Sequence, residues 1–186
     1  LLADGEGGIN FFNNTGDNNF TNVSNAFSTS EHAGEGCAFG DYDNDGFPDI
    51  ITGGDLILYN NDRDTSFSCI DSEDDQACSS TLLPVTSFTG KGVSFFDYNN
   101  DSFLDVWAPD TTNTQIFRSL GNGSFVLETL GSDTPDEFVS AADYNGDNYI
   151  DVFAVDGTDH ILYLNTGNGT FNKTDHGFIG LTNRTR

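Results

Sequence analysis

Only six of the 186 residues are Lys or Arg, against thirty Asp or Glu, giving a formal charge of −24. That shortage of positive charge argues against nucleic acid or an anionic membrane surface as partner and favours cations. No run of about 18 apolar residues occurs, so no helical membrane span and no membrane insertion is expected. Nowhere does an i, i+3, i+4, i+7 apolar spacing last long enough to specify a helix. Methionine is absent and the first residue is Leu1, so any signal peptide is expected to be already removed or to lie outside these residues. His32, His160 and His176 are scattered without a metal-binding spacing such as HxxxH, and neither a nucleophile elbow nor a GxGxxG loop appears. An enzyme is therefore not expected.

What is present is enough for a core: 35% hydrophobic residues, 17 of them Phe, within the size of one domain. Of three cysteines, Cys69 and Cys78 bracket a short polar stretch, and their spacing predicts a disulfide and an oxidising compartment. NxS/T sequons at Asn13, Asn19, Asn22, Asn100, Asn122, Asn168, Asn172 and Asn183 point the same way, toward an extracellular, secreted or cell-surface glycoprotein. Asn122 and Asn168 hold the same place in two GNGS/TF turns, where a sugar would project into solvent; Asn and Gly also suit such turns for purely conformational reasons.

The chain repeats itself. "GCAFGDYDNDGFPDII", "GVSFFDYNNDSFLDVW" and "FVSAADYNGDNYIDVF" align without gaps, with their first aspartates, Asp41, Asp97 and Asp143, 56 and 46 residues apart. A second element, "INFFNNTGDNNF", "LILYNNDRDTSF", "TQIFRSLGNGSF" and "HILYLNTGNGTF", ends at Phe20, Phe67, Phe125 and Phe171. Alternating apolar residues and Gly/Asn/Asp punctuation make these strand, turn and strand, and a period of about 40 to 50 residues marks a propeller or similar array. The fold class is all-β. One domain over 1–186 divides into repeats 1–49, 50–105, 106–151 and an incomplete 152–186. The second carries an insertion near 69–78, since Phe67 to Phe125 spans 58 residues where its neighbours span 47 and 46. Three complete acidic loops against four turn elements leave one strand and loop to be supplied, by further sequence or by another copy. Cys37 aligns with Val93 and Val139 and is expected to be a small core residue.

Acids at positions 1, 3, 5 and 9 of each loop repel one another unless a hard cation gathers them. Ca²⁺ suits such a set because it accepts six to eight oxygens in flexible geometry, including a backbone carbonyl at position 7. The ligands expected are Asp41, Asp43, Asp45, Phe47 and Asp49; Asp97, Asn99, Asp101, Phe103 and Asp105; and Asp143, Asn145, Asp147, Tyr149 and Asp151. An EF-hand needs a Glu at position 12, where Thr52, Ala108 and Ala154 stand, and Mg²⁺ demands stricter octahedral geometry. Position 6, occupied by Gly46, Ser102 and Asn148, is expected to be left-handed, with Ser102 the least comfortable. The aromatic residues at positions 2 and 7 are expected to pack between neighbouring blades, with sugar stacking as the alternative.

The repeat "FGDYDNDGFPDI" (Phe39 to Ile50) and its two partners resemble the FG-GAP or VCBS repeat of the integrin α-subunit β-propeller and of many secreted proteins. The resemblance implies four-stranded blades, about four here, with one Ca²⁺ bound in each of three loops, forming part of a larger propeller or array. It implies an extracellular calcium-binding scaffold for adhesion, protein–protein interaction or assembly, whose partner is a protein or further copies of itself. A self-assembling fibril subunit and a lectin-like module binding glycans are the alternatives.

Overall fold

The computed structural model describes residues 2–3, 9–23, 36–54, 56–61, 63, 67–69, 83, 88, 90–110, 113–130, 138–156 and 159–174. It is all-β: no described residue is helical. Three four-stranded antiparallel sheets follow one another along the chain. The first contains β5 (Cys37–Gly40), β6 (Asp49–Thr52), β7 (Ile57–Asn61) and β8 (Phe67–Cys69). The second contains β9 (Ser94–Phe96), β10 (Asp105–Pro109), β11 (Thr114–Ser119) and β12 (Phe125–Thr129). The third contains β13 (Phe138–Ala142), β14 (Asp151–Asp156), β15 (Asp159–Asn165) and β16 (Phe171–Thr174). Each is a simple meander in which sequence neighbours pair, as the short Gly- and Asn-rich turns dictate. Ahead of them lie two hairpins, β1 (Leu2–Ala3) with β2 (Ile9–Asn10), and β3 (Phe12–Gly16) with β4 (Asn19–Asn22).

The sheets are blades. Their first strands are spatial neighbours, β5 against β9 and β9 against β13, and the hydrophobic clusters lie between sheets rather than within them. Strand β10 is buried on both faces, and its alternation divides it between two cores. Val106 and Ala108 join Tyr42, Ile51 and Leu58 of the first blade, whereas Trp107 joins Val152, Ala154, Ile161 and Tyr163 of the third. Burying one such aliphatic side chain is worth about 1.5 to 3 kcal/mol, so each blade is held mainly by its neighbours. The aromatic residues add oriented contacts, with Trp107 edge-on to Phe171 at 5.4 Å between ring centroids.

Cys37 is half-buried on β5. Cys69 ends β8, but Cys78 and the intervening stretch lie outside the described residues, as does Asn183 among the sequons. Asn13, Asn19, Asn22, Asn122, Asn168 and Asn172 are exposed.

Candidate metal centres on the blade loops

Each four-stranded blade carries its acidic loop between its first and second strands. The three loops share one hydrogen-bond frame. The position 5 N–H donates to the position 1 carboxylate, Asp45 to Asp41 at 2.9 Å, Asp101 to Asp97 at 3.1 Å and Asp147 to Asp143 at 3.1 Å. The position 6 N–H reaches the other oxygen of that carboxylate at 2.9, 2.8 and 3.0 Å. Position 5 accepts in turn from the position 7 N–H, at 2.9 Å in every loop.

Position 9 begins the second strand and is buried in all three blades: Asp49, Asp105 and Asp151. One oxygen accepts from the position 2 N–H, of Tyr42, Tyr98 or Tyr144. The other accepts from the last residue of the third strand, Asn61, Ser119 or Asn165. This acid therefore ties the loop to its own sheet. Burial, only partly offset by those N–H groups, pushes Asp49 up to about 6 and Asp105 up to about 7. The neighbouring loop acids push in the same direction. A group held this way gains from a nearby positive charge.

In the first loop, oxygens of Asp41, Asp43 and Asp49 lie within 4.8 Å of one another, a spacing able to hold a cation. Asp45 has a partner of its own: Arg63 Nε lies 3.0 Å from its Oδ2. The Phe47 N–H, and secondarily that guanidinium, hold the Asp45 carboxyl below its ordinary range. Loops two and three have Asn99 and Asn145 at position 3, so they cannot bring three acids together in the same way. Their amide oxygens nonetheless accept from the position 5 N–H at 2.9 Å, as Asp43 Oδ1 does at 3.2 Å. Their Nδ2 groups donate to Asp101 and Asp147 at 2.9 and 2.8 Å. The donor set of each loop, carboxylate and amide oxygens with a lone pair still unused beside each N–H, fits a hard divalent cation.

Position 6 is left-handed at Gly46, Ser102 and Asn148, as the residue types predict. Position 4 is left-handed as well, at Asn44, Asn100 and Gly146. Sequence reasoning missed this, although Asn, Asn, Gly was signal enough. Two of these residues have a further role. Asn44 Nδ2 donates to the Ser102 carbonyl at 3.2 Å, and Asn100 Nδ2 to the Asn148 carbonyl at 3.0 Å. Each loop thus reaches forward to position 6 of the next.

The position 2 tyrosines divide. Tyr42 (4% exposed) and Tyr98 (2%) are wedged between blades, stacked at 6.0 Å on Phe125 and tilted at 5.9 Å on Phe171, whereas Tyr144 is 69% exposed. The position 7 rings do not pack between blades as expected. Phe103 and Tyr149 lie over Gly121 and Gly167 of the far turn of their own blade, so close that a Cβ would stand 2.5 Å from either ring. Glycine leaves a flat seat there. The first blade has Arg63 at the matching turn position, also left-handed, and its guanidinium sits 5.6 Å over the Phe47 ring.

Blades packed in sequence, each with a nine-position acidic loop at the same corner, define a β-propeller-type repeat protein. The FG-GAP-like repeat family matches residues 1–52 and 97–154, more than half of the chain, and the protein belongs to that family. Among curated proteins nothing matches. Among solved structures, the chain is similar to an Agrocybe aegerita lectin, described for its specific recognition of non-reducing terminal N-acetylglucosamine. The identity is 17%, the TM-score 0.53, and the match covers 94% of this chain and 51% of that one. The chain thus spans about half the length of that lectin, and the likeness is one of fold.

Proposed function

We propose that this protein is an extracellular, calcium-stabilised propeller-type scaffold for adhesion or assembly, with one Ca²⁺ in each of the three acidic loops. The observation that carries the reading is the convergence of Asp41, Asp43 and Asp49 within 4.8 Å, inside a hydrogen-bond frame that the other two loops repeat. Asp41, Asp43, Asp45 and Asp49 with the Phe47 carbonyl would hold the first ion, and the matching residues of the other loops the second and third. The ion would supply the positive charge that buried Asp49 and Asp105 lack. In this reading the protein is not an enzyme. The exposed sequons at Asn13, Asn19, Asn22, Asn122, Asn168 and Asn172 support the extracellular setting.

At affinities of ~0.1 to 1 mM, usual for extracellular calcium modules, 1 mM calcium stabilises by about 0.4 to 1.4 kcal/mol per site. Thermal melting with calcium and with excess EDTA tests this, alongside elemental analysis of the dialysed protein. A melting temperature several degrees lower in EDTA is expected. An unchanged curve with no bound calcium would sink the reading. Glycan binding is the second reading, favoured by the lectin fold likeness; silence of the calcium-loaded protein on a glycan array would remove it.

A further inference from the structure

Arg63 breaks the pattern of the four matching turns. At its position the other three hold Gly16, Gly121 and Gly167, left-handed at φ 89°, 70° and 76°, and Arg63 takes the same conformation at φ 67°. The turn itself is unchanged. The Arg63 N–H donates to Asn61 Oδ1 at 3.2 Å, as that of Gly121 donates to Ser119 Oγ at 3.2 Å and that of Gly167 to Asn165 Oδ1 at 3.0 Å. A side chain on such a backbone carries a steric cost that glycine avoids. Something in the first blade offsets it.

The acidic loop beside that turn supplies the reason. In the second and third loops the position 3 amide binds Oδ2 of the position 5 carboxylate, Asn99 Nδ2 to Asp101 at 2.9 Å and Asn145 Nδ2 to Asp147 at 2.8 Å. Position 3 of the first loop is Asp43, whose carboxylate has no hydrogen to give. The same acceptor, Asp45 Oδ2, is bound instead by Arg63 Nε at 3.0 Å, and the guanidinium is steadied over the Phe47 ring. Asp43 Oδ2 accepts from Asn60 Nδ2 at 3.0 Å, a position held by Arg118 and Leu164 in the other two blades. Charge follows the hydrogen bonds. Four carboxylates and one guanidinium leave the first loop with three negative charges, and three aspartates with one asparagine give each of the other loops three as well.

We propose that Arg63 is a tethered cation that sets the calcium affinity of the first loop. It closes the loop on Asp45 when no ion is bound, and it holds the affinity below that of four unopposed carboxylates. The proposal deepens the scaffold reading, and its ion-binding half rests on that reading. Arg63 acts through Asp45 and is a positioning residue. The Arg63 side chain is 62% exposed and that of Asp45 19%, so water and salt weaken the pair and confine its reach to this loop. A unit charge this near a ligand carboxylate, in water at about 0.15 M salt, changes divalent affinity by about three- to ten-fold.

The test is a calcium titration of the whole chain read by amide NMR at the position 6 N–H groups of Gly46, Ser102 and Asn148, one in each loop, with thermal melting in excess EDTA. Arg63→Met keeps a long unbranched side chain and the same backbone cost but removes the charge and the donor. It is expected to tighten calcium at Gly46 by about three- to ten-fold and to leave Ser102 and Asn148 unchanged. In EDTA the same variant is expected to melt about 1 to 3 °C lower than wild type. Arg63→Lys keeps the charge and is expected to bind calcium at Gly46 within about two-fold of wild type. A merely structural arginine would lower the melting temperature and leave the Gly46 affinity where it was. That result would overturn the proposal, as would equal tightening at all three loops, or an Arg63→Lys variant that tightens as Arg63→Met does. If no position 6 amide of the wild type responds to calcium, the calcium reading falls and takes this proposal with it. A wild-type response in all three loops, with Gly46 unaltered by Arg63→Met, removes this proposal alone.

Discussion

Tyr98 and Tyr144 occupy the same position of successive loops, on nearly the same backbone, and one is 2% exposed while the other is 69% exposed. The loop backbone does not account for the difference; the neighbours of each ring do. Tyr98 is covered by Phe171 from the blade that follows and also donates its hydroxyl to Glu128, 2.7 Å away and paired with Arg118. Burial raises the Tyr98 hydroxyl above its ordinary range, and Glu128 adds to the effect. In a blade array the loop fixes where a side chain starts, and the next blade decides what it is worth.

The largest effect follows from breaking that comparison directly. Tyr98→Ala is expected to cost about 3 kcal/mol or more, as truncation of a buried aromatic does. Tyr144→Ala is expected to cost less than about 0.5 kcal/mol in dilute solution. For a chain of this length the first corresponds to a fall in melting temperature of roughly 6 to 12 °C. Equal falls for both variants in a thermal scan would contradict the blade-packing account.

A smaller effect separates the acids beneath the two enclosed tyrosines from ordinary carboxylates. Asp49 and Asp105, at about 6 and about 7 in the fold, titrate near 3.9 when unfolded. Their folded values are raised, so the associated stability is complete below about pH 4 and is lost as pH climbs through the folded values. Asp45, shifted the other way, has delivered its contribution well below pH 5. The calcium-free protein should therefore melt at a higher temperature at pH 5 than at pH 8. Saturating calcium should reverse the slope, since the ion favours the charged form. A calcium-free protein more stable at pH 8 would show that these carboxyls are not held as described.

The smallest effect contrasts the first and second loops. Ser102 is left-handed with φ 72°, where the first loop has Gly46 at φ 92°. Ser102→Gly is expected to raise the melting temperature by about 1 to 3 °C, because glycine removes the steric cost while adding some unfolded-state entropy. Gly46→Ser should lower it by a similar amount. Opposite signs in differential scanning calorimetry would show that position 6 is not the weak point of the second loop.

Much of this fold was legible in the sequence because the repeat announces itself. Three gapless acidic segments and four matching turns gave the strands, and two-residue alternation separated the faces, so that Val106 and Trp107 part to different cores. Position 6 followed from Gly, Ser and Asn. The sequence was silent where the decisive neighbour is remote along the chain. Alternation gives a face but not its occupant, so the exposure of Tyr144 was hidden. The seat of Phe103 on Gly121 was missed because a turn glycine reads first as conformation and only second as space. Arg63 beside Asp45 was missed because it stands in a turn that elsewhere holds glycine. The pairing of Cys69 with Cys78 falls outside the described residues.

The two asparagine bridges along the loop rim, Asn44 to Ser102 and Asn100 to Asn148, both run from earlier loop to later loop. A series of links that all face one way gives the row of blades a direction, as barbs do to a feather. Asn100 also lies in a sequon, and its amide nitrogen, the atom that would carry a sugar, is already engaged in such a link. Attaching a glycan there would replace one of the two hydrogens on that nitrogen and crowd one barb, whereas a glycan at Asn122 or Asn168 would leave the rim intact.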